Sequence, residues 1–142
     1  MRKEKVLIFL KPDGVVLALR MELVGLLLQE GLSILEERVF QLDEDVVRIL
    51  YASYQSAWFF DQLVDYLTSG RSQLFICEGI DANAKVRRIR GNSYDGSGLR
   101  GKYSSYPVPS LDGRLVLLKN VMHVSDPGNF QREYKLLGTQ VV

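Results

Sequence analysis

The sequence of apolar and amphipathic segments predicts an α+β fold, in which helices pack against an antiparallel sheet. Three observations point to it. Compact apolar runs recur at 6–10, 74–77 and 115–121, and the first shows no alternation, as expected of a strand covered on both faces. Stretches with aliphatic residues at helical spacing separate those runs. The 142 residues are enough for a real core and most simply form one domain, 1–142.

The first strand, Val6-Leu7-Ile8-Phe9-Leu10, ends abruptly at Lys11-Pro12-Asp13-Gly14. Proline removes a donor and glycine permits positive φ, so the chain turns there. Leu23, Leu26 and Leu27 predict a helix over 19–29, with Gly31 as its stop. Residues 32–40 alternate well enough for a second strand. Asp43 opens a helix carrying Val46, Val47, Ile49 and Leu50 on its apolar side. A further helix runs from Trp58 to Leu67 and closes at Ser69-Gly70. Leu74 to Cys77 is a third strand, followed by a basic helix from Ala82 to Arg90.

From Gly91 to Gly113 the composition shifts to glycine, serine, tyrosine and proline. This predicts a long ordered loop, about 91–118, and loops of that length in compact domains usually have a function. Asp112-Gly113 would make a tight turn inside it. Leu115 to Val121 restores a strand, and Asp126 or Pro127 starts a last helix ending near Leu137.

Apolar residues make up 46% and charged residues 25%, the balance of an ordinary soluble protein. A net charge of +1 leaves no polyelectrolyte footprint, so nucleic acid is not an expected partner. Cys77 is the only cysteine, which excludes an internal disulfide and a cysteine-rich metal site; it reads as a small buried apolar residue. No apolar run is long enough to span a bilayer, and Lys11-Pro12 interrupts the first one too soon for a signal peptide. A cytoplasmic enzyme or binding protein, with no membrane partner, is the expectation.

The single histidine, His123, sits in the stretch Lys119-Asn120-Val121-Met122-His123-Val124-Ser125-Asp126. Imidazole accepts and passes on charged groups near neutral pH, so its solitary use marks a candidate nucleophile. A strand-end histidine without a chemical role is the bland alternative.

Three separated stretches decide between these readings. They are Lys11-Pro12-Asp13-Gly14 after the first strand; Tyr51 with Phe59-Phe60, Leu63 and Glu78-Gly79; and Arg87, Gly91, Ser93, Arg100-Gly101, then Asn120 to His123 with Ser125-Asp126. In this order, from Val6 to about Leu137, they resemble the nucleoside diphosphate kinase family. The resemblance implies a ferredoxin-like βαββαβ sandwich and ping-pong transfer of a γ-phosphate between nucleotides. It implies His123 as the residue phosphorylated and Lys11 as a catalytic cation on the β- and γ-phosphates. Tyr51, Phe59, Arg87, Ser93, Arg100 and Asn120 match nucleotide-binding positions.

Those residue types suit the chemistry. Arginine offers a planar fork to phosphate oxygens, lysine a compact point charge. Phe59 would stack on a base, which tolerates every base because each has a π-face. Ser93 stands where the family has threonine. Ser125 and Glu133 would support the histidine, and Asp126 would lie near Mg²⁺, itself carried mainly by the phosphates. Partners implied are ATP and other nucleoside di- and triphosphates, and further copies of the chain in a tetramer or hexamer.

The chain departs from the family pattern in four places. The usual basic-glycine pair is missing from Val16 to Glu22, the span from Ser93 to Arg100 is short, and that from Arg100 to Asn120 is long. The carboxylate expected on the last helix is displaced: ungapped counting reaches Tyr134, with Glu133 one step and about 100° of helix earlier. Glu133, Tyr134 or a water could therefore orient the imidazole. These departures keep a second function in view, a nucleotide-binding regulatory or assembly module with little turnover. A single-strand nucleic-acid binder using basic and tyrosine residues is a third.

Overall fold

The computed structural model describes residues 3–109 and 115–140, with side chains outside 106–116. Its elements are β1 (Lys3–Leu10), α1 (Pro12–Val16), α2 (Arg20–Gln29), β2 (Ser33–Gln41), α3 (Glu44–Leu50), α4 (Phe60–Thr68) and β3 (Arg71–Ile80). After these come α5 (Ala82–Arg90), α6 (Gly98–Tyr103), β4 (Ser105–Pro109), β5 (Leu115–Lys119), β6 (Met122–Val124) and α7 (Phe130–Leu137). Four strands form one antiparallel sheet in the order β2-β3-β1-β6. Helices pack on it, giving the α+β ferredoxin-like arrangement expected.

β1 runs through the middle of the sheet, and Val6 to Leu10 are all buried. The pleat sends them to two separate cores. Leu7 and Phe9 join Phe40, Leu74 and residues of α3, α4 and α7. Val6, Ile8 and Leu10 join Phe75, Cys77 and residues of α2, α5 and α6. Burying one such large side chain contributes about 1.5–3 kcal/mol. An apolar run without alternation is therefore what a central strand between two helical layers requires.

Several local expectations hold for identifiable reasons. Asp43 caps α3 by accepting the Val46 N–H at 2.8 Å. Gly31 follows α2 with φ +78. Cys77 is buried. At Lys11-Pro12-Asp13-Gly14 the chain does turn, but as the first turn of α1, with proline near its start.

Three expectations need correction. The segment from Gly91 is not one long loop: it holds α6 and, from Ser105, the first strand of a hairpin. Gly91 and Gly98 have φ +68 and +62, and a Cβ on Gly91 would meet the Ser97 carbonyl oxygen at 2.0 Å. That close crossing lets α6 pack against α5. The apolar strand near 115–121 stops at Lys119 and pairs with β4, not with the main sheet. The sheet is completed instead by β6, in register Phe9↔His123. The last helix begins at Phe130, because 126–129 form a turn in which the Asn129 N–H meets the Asp126 carbonyl at 2.9 Å. Asp112-Gly113 lies outside the described residues. No helix among the described residues is long and apolar enough to cross a membrane.

Candidate active site

β1 and β6 lie side by side, and their ends bring Lys11 and His123 to one region. The Lys11 N–H donates to the Val121 carbonyl at 2.8 Å, directly beyond the paired strands. The His123 ring stacks on Phe9, with centroids 4.7 Å apart and planes 24° off parallel. A buried aromatic of the central strand thus forms the floor under the imidazole.

α7 supplies the group that fixes the ring. Glu133, buried at 6% exposure, has Oε1 at 2.6 Å from His123 Nε2. The same oxygen accepts the Ser125 hydroxyl at 2.7 Å. An ionised carboxylate can only accept, so Nε2 carries the proton. Nδ1 keeps its lone pair and lies 3.2 Å from the Tyr51 hydroxyl, which donates to it. Of the three candidates for orienting the imidazole, the contact is made by Glu133. Tyr134 is half-exposed and donates to Glu36 at 2.7 Å, away from the histidine.

The electrostatics follow from burial. Burial holds the His123 imidazole below its usual pKa, partly opposed by Glu133, so the ring is neutral at pH 7. Burial works to raise the Glu133 carboxyl, but its bonds to His123 and Ser125 outweigh this and leave it below the usual range. Lys11 is 3% exposed, and burial together with the Arg100 charge pushes its ammonium down to about 7. Its Nζ donates to Asn120 Oδ1 at 2.5 Å. Arg100 is also depressed, by burial and then by Arg90.

Beside the histidine lies a cleft of about 120 Å³ lined by Lys11, Tyr51, Tyr54, Phe59, Leu63, Arg100, Leu117, Leu118 and Asn120. Five of these were expected from the sequence: Lys11, Tyr51, Phe59, Arg100 and Asn120. Arg100 uses one nitrogen on the Met122 carbonyl at 2.9 Å, while its Nε is buried without a partner. Arg87 is not among the residues lining the cleft; it donates to the Ser125 carbonyl and the Asp126 carboxylate, both at 3.2 Å. Ser125 and Asp126 do not cap the last helix: its first flanking residue is Asn129. Ser93 is turned to Ser104, hydroxyl to hydroxyl at 2.7 Å, and is not among the residues lining the cleft.

Tyr54, Leu117 and Leu118 escaped the sequence reading. Tyr54 stands in a short 3₁₀ turn, its ring 6.3 Å from both Tyr51 and Phe59. Leu117 and Leu118 belong to the hairpin strand β5. An aromatic cluster, Tyr51-Tyr54-Trp58-Phe59, was a visible signal for the first; nothing local marked the other two.

Among the described residues no group of three or more histidine, cysteine, aspartate or glutamate side chains is gathered for a metal. Asp126 is largely exposed and paired with Arg87. This donor set suits a cation brought by a ligand rather than a resident ion.

Comparison with known proteins agrees with this fold. The family model described as nucleoside diphosphate kinase matches residues 4–139. A nucleoside diphosphate kinase of Natronomonas pharaonis is 33% identical over 94% of this chain and 84% of its own length. The Aquifex aeolicus nucleoside diphosphate kinase structure superposes with TM-score 0.79 and 25% identity, covering 99% of this chain and all of that one. A halophilic nucleoside diphosphate kinase from Halobacterium salinarum, solved in complex with CDP, gives TM-score 0.76 and 28% identity over 99% and 93%. With its fold, its imidazole–carboxylate pair and its cationic cleft, this chain belongs to the nucleoside diphosphate kinase family.

Proposed function

We propose that this chain is a cytoplasmic nucleoside diphosphate kinase, moving a γ-phosphate from a nucleoside triphosphate to a nucleoside diphosphate through a phosphohistidine on His123. One observation carries this reading: Glu133 holds the proton of Nε2, so Nδ1 is left as a lone pair near a cleft lined by Lys11 and Arg100. The CDP in the related halophilic enzyme supports a nucleotide as the ligand class.

In this scheme Nδ1 attacks the γ-phosphorus as the bond to the β–γ bridging oxygen breaks and the diphosphate leaves. The phosphoryl returns to a second diphosphate by the reverse path. Glu133 stabilises the positive charge that forms on the ring. Lys11 and Arg100 counter the charge that spreads over the phosphate oxygens. Tyr51 holds Nδ1 until phosphate replaces its hydroxyl. Phe59 stacks on the base and Asn120 meets the sugar. Arg87 would meet phosphate on leaving Asp126, and Ser93 takes part only if its hydroxyl leaves Ser104. Mg²⁺ would supply charge neutralisation on the phosphates, and Asp126, now paired with Arg87, is the carboxylate that would help hold it.

The Glu133 contact favours turnover over a purely regulatory or assembly module. Exposed Val16, Leu17, Met21, Leu28 and Leu35 support self-association, as a tetramer or hexamer, which solution mass would establish. Incubation with γ-labelled ATP and Mg²⁺ should leave acid-labile label that His123→Ala abolishes. A wild-type protein that takes up no label removes the kinase reading.

A further inference from the structure

We propose that Asp13 is a positioning residue for the transfer: its carboxylate clamps the Val121 peptide in a left-handed turn that sets Asn120 and His123 relative to each other. This rests on the kinase reading above, and it assigns a task to a residue that does not line the nucleotide cleft. Asp13 instead faces a separate hollow with Tyr66, Ser69 and Lys119.

Val121 has φ 64 and is fully buried. That region is uncommon for any residue but glycine and a true outlier for a β-branched one. The Met122 N–H donates to the Asn120 carbonyl at 2.8 Å, closing a turn centred on Val121. A three-residue turn with positive φ at its centre is the rare, strained form. Such a conformation persists only where its surroundings over-determine it.

Here they do. The Val121 N–H donates to Asp13 Oδ2 at 3.2 Å, and the Val121 carbonyl accepts the Lys11 N–H at 2.8 Å. Asp13 Oδ1 accepts the hydroxyl of Tyr66, a buried side chain of α4. Gly14 leaves the space: a Cβ there would meet the Val121 oxygen at 2.6 Å. The turn lies between β5 and β6, so this one peptide fixes two distances. Upstream, Asn120 Oδ1 accepts from Lys11 Nζ; downstream, His123 enters the register that stacks it on Phe9.

Because His123 is the only histidine, ¹⁵N-histidine labelling yields a single imidazole to observe. The wild type should show one tautomer, protonated at Nε2. Asp13→Ala should show mixed tautomers and slow phosphohistidine formation by about 10²-fold at saturating nucleotide, the effect of misplacement by about an ångström. Its KM should change much less. Asp13→Asn, which retains an oxygen for the Val121 N–H, should recover most of the rate and the single tautomer.

Val121→Gly removes the strain, so in that background Asp13→Ala should cost less than about tenfold. A folded Asp13→Ala protein with wild-type imidazole signals overturns the proposal, as does an undiminished loss in the Val121→Gly background. If Asp13→Ala does not fold, Tyr66→Phe leaves the carboxylate unanchored, and unchanged imidazole signals there overturn it equally. Should the wild type take up no phosphate, the kinase reading falls and the imidazole spectra alone decide the clamp.

Discussion

Glutamine at position 133 would keep the volume of the side chain and an oxygen within reach of His123 Nε2 while removing the negative charge. The wild-type contact is 2.6 Å and buried, so the charge acts with little screening. A hydrogen bond to a charged group contributes about 1.5–3 kcal/mol, and the imidazole becomes positive only as phosphate is transferred. At about 1.36 kcal/mol per decade, Glu133→Gln should slow phosphohistidine formation roughly 10- to 150-fold. The pH profile should move as well. Burial lowers the His123 pKa and Glu133 partly restores it, so without the charge the pKa falls further. Nδ1 must be unprotonated to attack, so the acid limb should shift to lower pH while the plateau drops. Rapid-quench measurement of phosphoenzyme across pH reads both effects. An unchanged plateau, or a limb displaced toward higher pH, would refute the assigned role.

Three further predictions concern residues of the cleft. Lys11 has its ammonium pushed down to about 7, so in the free protein at pH 8 it is mostly neutral. Polyphosphate should recharge it; calorimetry in buffers of different ionisation enthalpy should find uptake of about one proton at pH 8 and almost none at pH 6. By the same linkage the unfolded chain holds more protons than the folded one between about 7 and 10.5, so the free protein should gain stability as pH rises through that window. Phe59→Ala should weaken nucleotide binding by about 1–3 kcal/mol whichever base is offered, measured by equilibrium titration with purine and pyrimidine nucleotides. A loss confined to one base would mean the ring reads edges rather than stacks.

The parts of this molecule that were legible in advance are those whose cause is local. β1 was readable because a central strand buries both faces, and α3 because Asp43 is itself the cap. α5 was readable to its last residue, bounded by Asp81 at φ 52 and by Gly91. What escaped depends on distant partners. β6 has three residues, too few for any periodicity, and exists because β1 lies beside it. α6 depends on glycines of a neighbouring crossing, and the hairpin on pairing across the insertion. The uncertainty over Glu133 had a similar origin: the phase of α7 is set by the turn at 126–129, not by counting from Ser125. Lys11, Tyr51, Phe59, Arg100 and Asn120 line one cleft, with His123 against Tyr51, whereas Ser93 faces Ser104 and Arg87 is paired with Asp126.

The strand that bears His123 is also the outermost strand of its sheet. An open rim of this kind offers main-chain groups that another polypeptide could zip onto. Here the outward carbonyl of Met122 is already taken by Arg100. Under the proposed kinase reading the same guanidinium doubles as a plug, and Arg100→Ala should then cost the protein twice, in chemistry and in resistance to unwanted strand addition.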